Sequence, residues 1–305
     1  MKVAICFWGL TRSLKHTHES IQKHIFDVLK KQNVEYKIFM HTYVFYTSYH
    51  NPRAALEGEV GEEGEEGEER EELKLDFEEY KLLAPDYVQI DNQDKIKYEI
   101  DLFQYRNQKD PWDSDYVCLD NFLCAMYSKK QLGLMVEKSD VEFDYVLYLR
   151  PDVLYLNDFN VDYFSLTNEH HVCTPNFHLF PKLNDRLCLL KACNHLQYSQ
   201  MFDLMLEYSL HRELHSEIFQ YYVMTQAFKW KIMYIHIHFN SVRANGKILD
   251  DARTVMEHEK NKAALKQEKD KGNKPNMIVP DKQEIATRSK KTTKSLFKRK
   301  DAGIK

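Results

Sequence analysis

The residues best placed to do chemistry lie in the segment DYVLYLRPDVLYL, Asp144 to Leu156. The apolar run Tyr145–Leu149 stops at Arg150, Pro151 and Asp152 and then resumes. A carboxylate at a strand end can hold a hard divalent cation, which in turn binds a diphosphate. A guanidinium beside it can pair with phosphate oxygens in bidentate fashion. The same two side chains can also close on each other as an ion pair capping the strand, and local chemistry alone leaves both roles open. YIHIHF, Tyr234–Phe239, offers a second group. Residues two apart on a strand share a face, so His236 and His238 would point one way and Ile235 and Ile237 the other. Two acidic residues complete the set. Glu217 follows Ser216, an N-cap residue type, and could complement a helix dipole or face a cleft; Asp185 lies in LNDR.

The elements that must position these residues alternate between strand and helix. KVAICFWG reads as a buried parallel strand, because Val3 to Phe7 are continuously apolar and Gly9 ends the run. Leu14, Ile21, Ile25, Val28 and Leu29 keep helical spacing and predict a helix from about Ser13 to Lys31. YKIFMHTY is the second strand, and LLAPDYVQI is a short helix broken at Pro85 and followed by a strand. A helix from about Asp120 to Lys138 precedes the strand Tyr145–Leu149. HHVCTP is a further strand, followed by a loop, LNDRLCLLK and helical segments at about Ser199–Leu210 and Glu217–Lys229. IMYIHIHF closes the core as one strand. In open α/β sheets ligands bind outside the carboxyl ends of strands, where Arg150 and Asp152 stand.

Composition bounds the rest. A chain of 305 residues with 43% hydrophobic content and 13% aromatics can bury a sizeable core. The acidic excess lies near residues 57–79, and EGEVGEEGEEGEEREE predicts a solvated insertion over residues 51–72. Residues 251–305 read as a charged, partly disordered C-terminal tail with basic excess beyond residue 282. That tail could contact a membrane surface peripherally, but it lacks a lipidation signal. No apolar stretch approaches the ~20 residues of a membrane span, and MKVAICFWGL is too short for a signal peptide. The six cysteines show no CxxC, so reduced, mostly buried thiols in a cytoplasmic protein are expected. GxxxxGK[ST] and GxGxxG are both absent, which disfavours a kinase, and no nucleic-acid motif occurs.

A hydrophobic strand, then acidic-x-acidic, then further apolar residues is the signature of nucleotide-sugar glycosyltransferases of the GT-A type. This chain resembles it with R-P-D, Arg150 standing where the first carboxylate usually is. The variant is similar to small glycan-building glycosyltransferases of bacteria and large DNA viruses, algal giant viruses among them. CFWGLTRSL, IFMHTY, LLAPDYVQI, MYSKKQL, NDRLCL, LHSE and FNSVRANGK match further segments of that group in order across residues 1–247. The resemblance implies one GT-A-like, Rossmann-like domain over residues 1–250, with a mostly parallel central sheet flanked by helices. It implies transfer of a hexosyl or pentosyl group from a nucleotide-diphosphate donor, UDP favoured over GDP, to a glycan or glycoprotein acceptor. The location would be the cytoplasm, that of the host if the protein is viral.

It also implies roles. Gly9 and Arg12 would border the nucleobase, ribose and phosphate, and Ser128 and Lys129 the nucleotide, although a solvated helix face is the favoured reading of Lys129. Asp152 would anchor Mn²⁺ or Mg²⁺ or the diphosphate, with His238 as a second metal ligand through a ring nitrogen. Arg150 puts a strict metal requirement in question. Arg243 and Lys247 would close over the diphosphate as the leaving group develops charge. Inversion at the sugar needs a general base, for which Glu217 and Asp185 compete, Asp185 also serving as a sugar-hydroxyl binder; retention would need neither. A different class remains: a catalytically silent module of this fold that acts by binding a partner.

Overall fold

The computed structural model describes residues 1–46 and 75–251. The acidic insertion expected at 51–72 and residues 252–305 of the tail lie outside the described residues. Among the described residues ten strands are formed: β1 (Lys2–Trp8), β2 (Glu35–Val44), β3 (Tyr87–Asn92), β4 (Tyr145–Leu149), β5 (Val153–Tyr155), β6 (His171–Pro175), β7 (Leu187–Lys191), β8 (Lys231–Ile235), β9 (Phe239–Val242) and β10 (Ile248–Leu249). Seven of them make one mixed sheet in the order β3-β2-β1-β4-β7-β6-β8. Its pairings are parallel except those of β7, which runs antiparallel to both neighbours. The chain is therefore the expected α/β fold with a mostly parallel sheet flanked by helices.

The apolar run of β1 reflects its place. Val3 to Phe7 are fully buried because β1 is central, between β2 and β4, and covered on both faces. On one face Phe7 meets Phe26 edge-on at 6.1 Å, from the segment in which α1 (Leu14–Ile21) continues through a π-helical turn into α2 (Asp27–Lys31). On the other, Ala4, Cys6 and Trp8 join a core with Leu119, Phe122, Leu123 and Met126. Those four belong to α4 (Val117–Lys138), which follows α3 (Gln93–Ile100). A methyl group on Gly133 would stand 2.0 Å from Ser199 Oγ, so glycine is what lets α4 approach α5 (His195–Ser199) this closely. Two further helices, α6 (Met205–His211) and α7 (Ser216–Tyr222), close that side. None of the described helices is long and apolar enough to cross a membrane.

The break in the apolar run has a topological cause. β4 belongs to the large sheet, whereas β5 pairs with β9 in a separate three-stranded sheet, β10-β9-β5. Arg-Pro-Asp is the turn that passes the chain between them. Its backbone is pinned by Arg150 N–H to the Arg186 carbonyl at 3.1 Å, Thr17 Oγ1–H to the Pro151 carbonyl at 2.6 Å and Val242 N–H to the Asp152 carbonyl at 2.9 Å.

YIHIHF is not one strand. β8 ends at Ile235, Ile237 N–H turns back to the Ile235 carbonyl at 3.1 Å, and β9 starts at Phe239. The strand breaks there, so His236 is exposed while His238 is buried, but their rings still meet edge-on at 6.3 Å, and Ile235 and Ile237 are both buried. All six cysteines are free; only Cys193 is exposed.

Candidate functional site

A cleft of about 290 Å³ opens where β1 and β4 end and where the chain leads into antiparallel β7. Trp8, Gly9 and Arg12 line it from the end of β1, and Arg150 and Asp152 from the end of β4. Asp185 and Arg186 line it from the start of β7, Ser216 and Glu217 from the start of α7, and Arg243 from the end of β9. Four arginines and four carboxylates thus share one cavity, the fourth carboxylate being Asp251.

Asp152 is the most constrained of these groups, with 3% of its surface exposed. Arg150 Nε–H donates to its Oδ1 at 2.6 Å, and Arg150 Nη2 also reaches its Oδ2. Arg12 Nη2–H donates to Oδ2 at 2.9 Å, from 140 residues away in the chain. Burial alone would raise the carboxyl group; the charges of Arg150 and then Arg12 override it and hold it far below the usual carboxylate range. Removing one partner of such a buried pair leaves an uncompensated charge, at a cost of about 3–5 kcal/mol. Arg150 is fixed further by lying over the Trp8 ring, 5.0 Å from its centroid. The strand-capping ion pair is therefore formed, with a second guanidinium added.

This arrangement does not fit a divalent cation. Both oxygens of Asp152 already accept from guanidinium groups. His238, the expected second ligand, does not line the cleft, and its ring packs edge-on against Phe177 at 5.1 Å. Among the described residues, no three His, Cys, Asp or Glu side chains gather as a metal-ion group.

Ser128 and Lys129 differ from expectation. Ser128 is fully buried behind the β1 turn, where its Oγ accepts from Gly9 N–H at 2.9 Å and lies 2.8 Å from His41 Nδ1. His41 Nε2 is 3.0 Å from Asp91 Oδ2. This Asp91–His41–Ser128 chain holds the Gly9 turn and does not line the cleft. Gly9 has φ +91 and open space where a side chain would point, so its backbone can be approached closely. Lys129 is not on a solvated face: it is fully buried, because a helix that closes the core on one side presents this stem inward. Its Nζ donates to Gln220 Oε1 at 2.7 Å and to the Tyr198 hydroxyl at 3.2 Å, and stands 4.4 Å from the Trp8 ring centroid. Burial lowers the ammonium group to about 8, against the raising effect of Asp185.

Lys129 also orients the acidic wall. Its ammonium can only donate, so the Gln220 carbonyl must face it and the Gln220 amide N–H is sent to Asp185 Oδ2, at 3.0 Å. Glu217 is held differently. Ser216 Oγ–H donates to its Oε2, and His215 Nδ1 lies 3.2 Å from the same oxygen. Burial would raise Glu217, but the bonds from His215 and Ser216 bring it down to about 2. The His215 ring is stacked between Trp112, at 4.9 Å, and Phe180, at 4.5 Å.

Arg243 lines the cleft, whereas Lys247, across the Ala-Asn-Gly turn, is exposed and does not. Asp251, placed in the tail by its sequence context, is in fact in the site. It accepts from Ser241 N–H at 3.0 Å and Ser241 Oγ–H at 2.6 Å, with His178 Nδ1 at 3.4 Å. Burial opposes its ionisation, but His178 and Arg186 bring it to about 2. Sequence reasoning assigned no role to His215, Arg186, Gln220 or Asp251. LHSE and NDRLCL were the available signals for the first two; their partners are remote in the chain.

No family model and no curated protein matches this chain. Solved structures do. The apo-form glycosyltransferase GlyE of Streptococcus pneumoniae TIGR4 matches with 12% identity and TM-score 0.35, over 76% of this chain and 44% of that one. A second structure of GlyE gives 13% and 0.35, over 77% and 46%. Apo mouse xyloside xylosyltransferase 1 gives 10% and 0.39, over 77% and 85%. This chain spans less than half the length of the GlyE chains. At such scores and identities these likenesses carry no argument about the site, whose chemistry stands on its own residues.

Proposed function

We propose that this chain is a GT-A-type glycosyltransferase that takes a sugar from a nucleotide diphosphate and passes it to a glycan or glycoprotein hydroxyl. The observation that carries the reading is the cleft at the carboxyl ends of β1 and β4, where Arg12, Arg150, Arg186 and Arg243 converge opposite Asp185 and Glu217. Ligands of open α/β sheets bind at this edge, and guanidinium groups suit diphosphate oxygens in both charge and shape. The R-P-D signature and its ordered companion segments point the same way.

In the reaction, the acceptor oxygen forms a bond to the anomeric carbon as the bond from that carbon to the diphosphate oxygen breaks. The electron pair leaves with the diphosphate, where the arginines stabilise the developing charge. The open backbone at Gly9 accommodates the nucleoside, with UDP favoured over GDP. Under inversion the acceptor proton goes to a carboxylate. Glu217, held at about 2, has little proton affinity, and the base is assigned to Asp185, which accepts the Gln220 amide N–H at 3.0 Å. Glu217 and His215 then shape the acceptor side. Because both oxygens of Asp152 are committed to Arg12 and Arg150, its role is to orient them.

Thermal unfolding with UDP, GDP, CDP and ADP, followed by turnover of the matching sugar nucleotide, tests the reading. A ligand at ~100 times its Kd adds about 2.7 kcal/mol, a shift of several degrees. A shift for one nucleotide, with turnover lost in Asp152→Ala, upholds it. No shift with any nucleotide would turn the reading toward a catalytically silent binding module.

A further inference from the structure

The arginine cluster carries a second conclusion, which deepens the donor-site reading and rests on it for the identity of the natural ligand. We infer that the cleft binds a diphosphate through its guanidinium groups without a divalent cation, Asp152 acting as the internal counter-charge that orients them. A metal-anchoring carboxylate must present oxygen lone pairs to the ion at about 2.0–2.6 Å. Asp152 instead turns both oxygens into the protein, Oδ1 toward Arg150 Nε at 2.6 Å and Oδ2 toward Arg12 Nη2 at 2.9 Å and Arg150 Nη2. A metal there would displace both guanidiniums and would still want further acidic or imidazole ligands, which do not gather among the described residues.

The cationic side is built to stay in place. Arg150 is held by Asp152 and by the Trp8 ring, and the same ring has the Lys129 ammonium 4.4 Å from its centroid. Arg186 is set by the backbone bond of its carbonyl to Arg150 N–H at 3.1 Å and lies 4.0 Å from Asp251 Oδ2. The pattern repeats. Asp251, a second carboxylate of the cleft lining, likewise stands beside an arginine that lines it, Arg186. Arginines held this way lose little freedom when a planar array of phosphate oxygens arrives.

The role of Asp152 gives the test a sign. If it anchors a metal, neutralising it abolishes diphosphate binding. If it is a counter-charge competing for the arginines, neutralising it strengthens diphosphate binding while spoiling the geometry for turnover. The experiment is isothermal titration of the full chain with inorganic pyrophosphate and with UDP, in EDTA and again in Mn²⁺. Wild-type binding in EDTA within about threefold of that in Mn²⁺ supports the inference, and binding seen only with Mn²⁺ overturns it. Asp152→Asn should bind pyrophosphate about tenfold more tightly, and weaker binding by a folded variant sinks the idea. Arg150→Gln, which leaves the carboxylate in place, should weaken binding about tenfold in EDTA; unchanged affinity there also overturns it. Metal-free pyrophosphate binding without turnover of any sugar nucleotide would keep this inference and discard the glycosyltransferase reading. No binding in either condition would discard both.

Discussion

The two walls of the cleft hold their carboxylates by different means. On the β1–β4 wall, Asp152 is buried and saturated by two guanidiniums, one from the end of each strand. On the α7 wall, Asp185 accepts one bond from the neutral Gln220 amide, and Glu217 pairs with a histidine stacked between aromatic rings. A carboxylate fixed by full charges organises those charges but has little left to give a ligand. One held by a neutral dipole keeps acceptor capacity for a hydroxyl proton. The difference assigns charge stabilisation to the first wall and acceptor chemistry to the second.

Asp152→Ala should break the contrast most severely. Two guanidiniums lose their shared counter-charge, and initial rates with the matching sugar nucleotide should fall by about 10³-fold. Within the second wall, Asp185→Asn should lower kcat by about 10²-fold and Glu217→Gln by about tenfold; the reverse ranking would move the base to Glu217. The pH dependence of stability sharpens the assignment of Glu217. Its folded value of about 2 lies below its ordinary 4.5, so its stabilising contribution is complete above pH 4.5 and fades as pH falls toward 2. Denaturant titrations of Glu217→Gln should show a flatter acid limb across that window.

Lys129 links the walls and titrates with the opposite sense. Its folded value of about 8 lies below 10.5, so the unfolded chain holds the proton more strongly and stability rises with pH between those values. Relative to Lys129→Met, the wild type should gain on the order of 3 kcal/mol from pH 8 to 10.5, measured by chemical denaturation. The smallest expected effect is at Ser128. Ser128→Ala removes one of the two acceptors of Gly9 N–H, which keeps the His41 carbonyl at 3.2 Å, so it should cost about 0.5–1.5 kcal/mol and lower the midpoint by a few degrees, with the first wall's arginines in place.

How legible a residue was in the sequence depended on whether its role was local. The buried run of β1, the spacing of Leu14, Ile21 and Ile25 and the Pro85 break all reported their elements, because burial and periodicity act over a few residues. Arg150 and Asp152 stood out because charge interrupts an apolar run. YIHIHF misled because two-residue alternation describes a strand only while the strand continues, and this one turns at His236. Lys129 misled because a lysine on a helix reads as solvated, and the groups that make its burial tolerable are Tyr198, Gln220 and Trp8.

The sequence by itself therefore determined the strands β1, β2, β3, β4 and β6, the long helix α4 and the strand end at which charge would gather, but not α3, β5, β10 or the break between β8 and β9. Tertiary structure alone decided what those charges do. Arg12 reaches Asp152 across 140 residues, Gln220 joins Lys129 to Asp185, and His215 stacks between Trp112 and Phe180. The physical reason is that a buried charge or polar group is stable only with partners around it, and those partners are chosen by the packing of elements remote in the chain.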